Sequence, residues 1–146
     1  MRAALKGCLA CFTWLLAGLA QGQGADAAPA CPAPYEMRAL NLYGAWRAQW
    51  QDSDAPAATL QLERHPELGD SVRGRVERDG ITALLAGDVN DGDLTLEESR
   101  DGKRISANWI GRVVDGSCGR EIRGIWTDAD TDAKRDFVLR RQSGWQ

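Results

Sequence analysis

Three Asp-Gly pairs, Asp79-Gly80, Asp91-Gly92 and Asp101-Gly102, each separate two stretches in which apolar and polar residues alternate. Asp-Gly suits a two-residue type I′ hairpin, because both central positions of that turn need positive φ. The turns therefore set the register of four successive strands. Pairing about 79–80 places Val76 opposite Ala83, Gly74 opposite Leu85 and Val72 opposite Gly87. Pairing about 91–92 joins Val89 to Leu94 and Gly87 to Leu96, and pairing about 101–102 joins Leu96 to Ala107 and Leu94 to Trp109. All three hairpins bring apolar residues together on one face, and a slip of one residue would invert a strand.

From Leu40 onward the pattern keeps period two and shows no sustained helical period. The alternation predicts eight strands, at about 41–50, 58–65, 71–78, 81–89, 93–99, 103–113, 119–127 and 136–142. Trp46, Ala48, Trp50, Leu60, Leu62, Ile122, Trp126, Phe137 and Leu139 fall on the apolar face, and Arg47, Gln61, Glu63, Arg73, Arg75, Glu121 and Arg123 on the other. An antiparallel meander with one apolar face buries it by curling shut, which also removes its edges. The expectation is an all-β chain: an eight-stranded antiparallel up-and-down β-barrel with one disulfide, spanning 41–142. Gly74, Gly87, Gly111 and Gly124 stand mid-strand on the inner face, where curvature gives glycine a purpose.

Arg2 and Lys6 precede an apolar run from Gly7 to Ala20, followed by small and Ala-rich sequence. This is the form of a signal peptide, assigned here to 1–24, and it predicts a periplasmic or secreted protein. The run is short of the roughly 20 residues a membrane span needs. Cys8 and Cys11 fall inside the leader, leaving Cys31 and Cys118 to form a disulfide that ties an extended N-terminal segment, 25–40, to the barrel. Lipid attachment at Cys31 is the competing use, but Ala28-Pro29-Ala30 lacks the aliphatic residue expected three positions before it. In an up-and-down barrel the N-terminal segment and the 114–118 connection share one rim, so the two cysteines meet at the lower end.

Gly44-Ala45-Trp46 opens the first strand, and Arg141 comes near the end of the last, on the inner face and close to Trp46 once the barrel closes. This pairing resembles the Gly-x-Trp and arginine signature of the calycin barrels, which include lipocalins, avidins and small bacterial metalloprotease inhibitors. The resemblance implies that Gly44, Trp46 and Arg141 seal the closed end, and that the other end is open to a ligand or a partner. In the inhibitors a free N-terminal segment enters the protease, whereas here Cys31 would tether it.

Four tryptophans, Trp46, Trp50, Trp109 and Trp126, share the inner face, where an eight-stranded barrel has room for packed side chains or one small ligand. Trp46 and Trp109 are assigned to structure. Trp50 and Trp126, nearest the open rim, are candidate ligand-lining residues, with Glu98 as an acid that orients the ligand or reaches solvent, Arg100 or Arg104. Asp52, Asp54, Asp128, Asp130 and Asp132 gather on two rim loops but lack the glycine and glutamate of a calcium loop, so no metal and no cofactor is assigned. On the outer face Ile110, Ile125 and Val138 form an apolar stripe suited to a homodimer. The one histidine, His65, ends the second strand at the lower rim with its ring outside, and no nucleophile, base and orienting group assemble around it, so no catalytic residue is assigned. Removing Arg2 and Lys6 with the leader leaves 16 bases against 21 acids, the wrong balance for a nucleic-acid binder. Two expectations follow: a non-catalytic barrel binding a small, largely apolar ligand, or an inhibitor of a secreted or envelope hydrolase acting through rim loops or the N-terminal segment.

Overall fold

A computed structural model describes residues 31–51 and 53–144, so the leader assigned to 1–24, and Asp52 of the acidic rim group, lie outside the described residues. A 3-10 turn at Pro34–Glu36 and a single helical turn, α1 (Ala39–Leu42), precede the strands. Eight strands follow among the described residues: β1 (Gly44–Trp50), β2 (Ala58–Arg64), β3 (Ser71–Arg78), β4 (Ile81–Asn90), β5 (Asp93–Ser99), β6 (Ala107–Val113), β7 (Glu121–Asp128) and β8 (Lys134–Arg141). Each pairs antiparallel with the next, and β8 returns to β1 to close the barrel. The extended segment expected through residue 40 is instead partly helical. Asn41 Oδ1 accepts the backbone N–H of Arg38 at 2.8 Å, which turns the chain there and delays the first strand to Gly44.

Two hairpins have the expected geometry. Asp79 and Gly80 have φ of 52° and 75°, and Asp91 and Gly92 of 49° and 85°, so Val76 faces Ala83 and Gly87 faces Leu96. At the third, Leu96 pairs with Trp109 and Leu94 with Gly111, two residues along from the expected Ala107 and Trp109. The cause is Asp101, whose Oδ1 accepts the backbone N–H groups of Lys103 (2.8 Å) and Arg104 (2.9 Å) and so builds a longer loop, 100–106. Ser106 N–H, bonded to the Glu98 carbonyl at 2.7 Å, then starts the return. A shift of two preserves every side chain's face, which is why the burial pattern survives it. The β7–β8 connection departs similarly. Asp128 Oδ1 accepts from Asp130 N–H, Thr131 N–H and the Thr131 hydroxyl, each at 3.0 Å, and this tight turn lets β8 begin at Lys134, two residues before the expected 136, with Ile125 opposite Asp136.

Glycines admit the curvature. Gly111 and Gly124 are direct register partners, and a Cβ on Gly124 would strike the Ile110 carbonyl and the Gly111 backbone. A Cβ on Gly111 would come 3.1 Å from the Phe137 ring, so the bare pair is what lets that ring into the core.

The lower end is sealed by the segment before β1. The Cys31–Cys118 disulfide, Pro34 seated on Gly92 and Met37 on Gly119 hold it across the opening, with Met37 and Leu42 fully buried. Trp46 Nε1 donates to the Leu42 carbonyl at 2.7 Å. Arg141 donates to the carbonyls of Asn41 (2.9 Å) and Tyr43 (2.7 Å), with its guanidinium 6.0 Å from the Trp46 ring. Gly44, with φ of 116°, supplies the left-handed backbone at this junction.

The outer stripe is smaller than expected. Ile110 and Ile125 are cross-strand partners, 52% and 43% exposed, but Val138 is only 2% exposed. Its register neighbours are Gln49 and Arg123, and Arg140 bonds across to both Gln49 and Glu121. The valine is thus flanked by long polar side chains, and the exposed stripe is confined to Ile110 and Ile125.

Candidate functional site: the upper rim

The inward positions at the upper ends of the odd strands hold Trp50 (β1), Arg78 (β3), Glu98 (β5) and Trp126 (β7). The even strands offer Ala58, Ala83 and Ala107 at the matching height, all buried, and these small residues make room for the large ones. Arg135 of β8, the register partner of Trp126, completes the mouth.

Glu98 lies at the centre and is fully buried. Its Oε2 accepts the indole N–H groups of Trp109 (3.0 Å) and Trp126 (3.1 Å), and its Oε1 accepts from Arg78 Nη2 at 2.6 Å. A carboxylate removed from water needs such partners, because desolvation alone would cost several kcal/mol. The expected partners Arg100 and Arg104 are engaged elsewhere: Arg100 with Asp128 at 2.9 Å and Arg104 with Asp101 at 3.3 Å. Both arginines are carried outward by the Asp101 loop, which frees the position beside Glu98 for Arg78, reaching in from β3.

The aromatic rings fill the interior. Trp50 stacks on Trp109 at 5.6 Å, meets Trp126 edge-on at 6.0 Å, and Trp109 packs on Phe137 at 5.1 Å. Trp50 Nε1 donates to the Pro56 carbonyl at 3.0 Å. Arg78 lies 4.6 Å from the Trp126 ring, and Arg135 lies 5.4 Å from Trp50 and 5.6 Å from Trp126. Trp50, Trp126 and Glu98 are thus brought together as expected, but they face one another across a packed core. A cleft of about 270 Å³ opens beside them at the rim, bounded by Trp50, Ser53, Ile125, Lys134, Arg135 and Asp136.

Burial raises the pKa of Asp128, but hydrogen bonds from the Thr131 hydroxyl and from Arg100 outweigh it and hold the carboxyl below its ordinary value. The acidic loops form no group of three potential metal ligands among the described residues. Arg78 and Arg135 are not distinguished by composition, although each keeps inward parity: Arg78 is two residues past Val76, and Arg135 two before Phe137.

No family model matches the chain, and no curated protein sequence matches it significantly. Among solved structures it is similar to a redesigned β-barrel, at 18% identity and a TM-score of 0.46, over 73% of this chain and 96% of that one.

Proposed function

We propose that this chain is a non-catalytic, exported barrel that binds a protein partner at its upper rim, as an inhibitor of a secreted or envelope hydrolase. The observation that carries this reading is the filled interior: Trp50, Trp109, Trp126, Phe137 and Glu98 occupy the space a small apolar ligand would need. Residues 31–37 plug the lower end through Cys31, Pro34 and Met37, so among the described residues the upper loops are the elements left to engage a partner. Export is supported by the disulfide, which persists in oxidising compartments. The calycin resemblance, carried by Gly44, Trp46 and Arg141, supplies the class of target.

The test is to titrate the chain into a panel of secreted serine proteases, metalloproteases and glycoside hydrolases. The expected result is stoichiometric inhibition of at least one, weakened by Lys103→Glu in the exposed 100–106 loop and unaffected by Asp115→Asn at the lower end. Inhibition of none overturns the reading. Saturable quenching of tryptophan fluorescence by palmitate would restore the small-ligand alternative, with Trp50, Trp126 and Glu98 as its lining.

A further inference from the structure

Four charged side chains occupy inward positions at the upper mouth: Arg78, Glu98, Asp128 and Arg135. Three of them are matched, Arg78 with Glu98 at 2.6 Å and Asp128 with Arg100 at 2.9 Å. Arg135 is left over, forming no ion pair among the described residues. Its Nη1 is buried and without a hydrogen-bond partner, as is Nε of Arg78, a side chain only 8% exposed. A half-buried guanidinium with no ion-pair partner is costly, and a ligand whose acid group meets its cleft-facing side supplies the missing partner. Arg135 also lines the rim cleft, where Lys134 stands beside it and Asp136 is the opposing charge.

From this geometry we propose that the rim cleft is a carboxylate-binding site. The acid group accepts from the Arg135 guanidinium, whose planar fork suits a bidentate carboxylate, with Lys134 adding charge. The Trp50 ring and Ile125 receive a planar or apolar body attached to it. The assignment rests on the rim-binding reading above and deepens it: the group presented to the rim is an aspartate or glutamate side chain of the partner, or a small aryl carboxylate of the same chemistry.

The experiment titrates the full chain with benzoate and with benzamide, which has the same outline and no charge, and follows tryptophan fluorescence. Saturable quenching by benzoate is expected, with benzamide weaker by about tenfold or more, the loss that accompanies removal of a charged hydrogen bond. Arg135→Gln should weaken benzoate by a similar factor, and Lys134→Gln by less. Arg112→Gln, at the exposed lower end, should change nothing. If Arg135→Gln fails to fold, the Lys134→Gln titration and the benzamide comparison still decide. Parallel titrations with a short peptide bearing one glutamate, and its glutamine counterpart, separate the two sources of the acid. Equal binding of benzoate and benzamide, or binding of neither, overturns the proposal and means that the aromatic faces alone accommodate Arg135. Hydrolase inhibition without benzoate binding would sink this inference and spare the rim-binding reading, and the converse would do the opposite.

Discussion

Glu98 is an acid held without water, and it is tolerable because three donors converge on its two oxygens. Glutamine there keeps one acceptor for the indoles but turns an amide N–H toward Arg78, leaving a buried cation unmatched. Glu98→Gln is therefore expected to cost about 3–5 kcal/mol in urea unfolding, and Arg78→Met in the same chain should recover part of that loss. Asp101 acts at the opposite extreme, on the exposed surface. The backbone N–H of Arg104, then that of Lys103, holds its pKa down at about 2, against an ordinary value of 3.8. A depressed carboxyl pKa adds stability that is complete above the ordinary value and lost as pH falls through the folded one. Asp101→Ala should thus lower Tm at neutral pH, with the gap to the parent chain closing between about pH 4 and pH 2. Alternation in the sequence was enough to place Trp50, Trp109, Trp126 and Glu98 indoors. It did not reveal Arg78 and Arg135, because an arginine at a strand end reads as a solvated residue until its parity is followed to the last position.

The hairpins differ in how much of their geometry can be read from two letters. At Asp79-Gly80 and Asp91-Gly92 both residues adopt positive φ and the strands register as the dipeptide dictates. At Asp101-Gly102 the same dipeptide makes another structure, because a carboxylate that caps two following amides competes with the tight turn. Asp128 does the same at the β7–β8 loop, where Thr131 donates twice to it. Side-chain capping of this kind is invisible to a pattern of apolar and polar residues, so the pattern gives each strand's faces correctly and these two registers two residues off. Where strands pass closest, substitution should be severe. Gly124→Ala drives a methyl into the Ile110 carbonyl and is expected to destabilise by about 3 kcal/mol, measured as a shift in denaturant midpoint, the upper range for forcing extra volume into a packed site. Gly69→Ala, where an added methyl meets nothing within 4 Å, should cost far less and serves as its control.

Across the whole molecule, the Cys31–Cys118 bond spans 87 residues of sequence and locks the plug onto the lower opening. Reduction should lower stability by about 4–5 kcal/mol on the chain-entropy account, seen as a lower urea midpoint with reductant present. That both cysteines share one end followed from strand alternation alone, since an up-and-down path sends odd and even connections to opposite rims. The filling of the interior was less legible, because alternation says which residues point inward and not whether their volumes leave a void. The join between β1 and β8 has a further bearing on how the molecule is made. Its partners, such as Arg141 with Trp46, lie about 95 residues apart, so a growing polypeptide can complete every neighbouring hairpin and still gape along one side. The eighth strand acts as the zip fastener. A product that stops short of Phe137 would expose two raw margins, each a template for sticking to another unfinished copy.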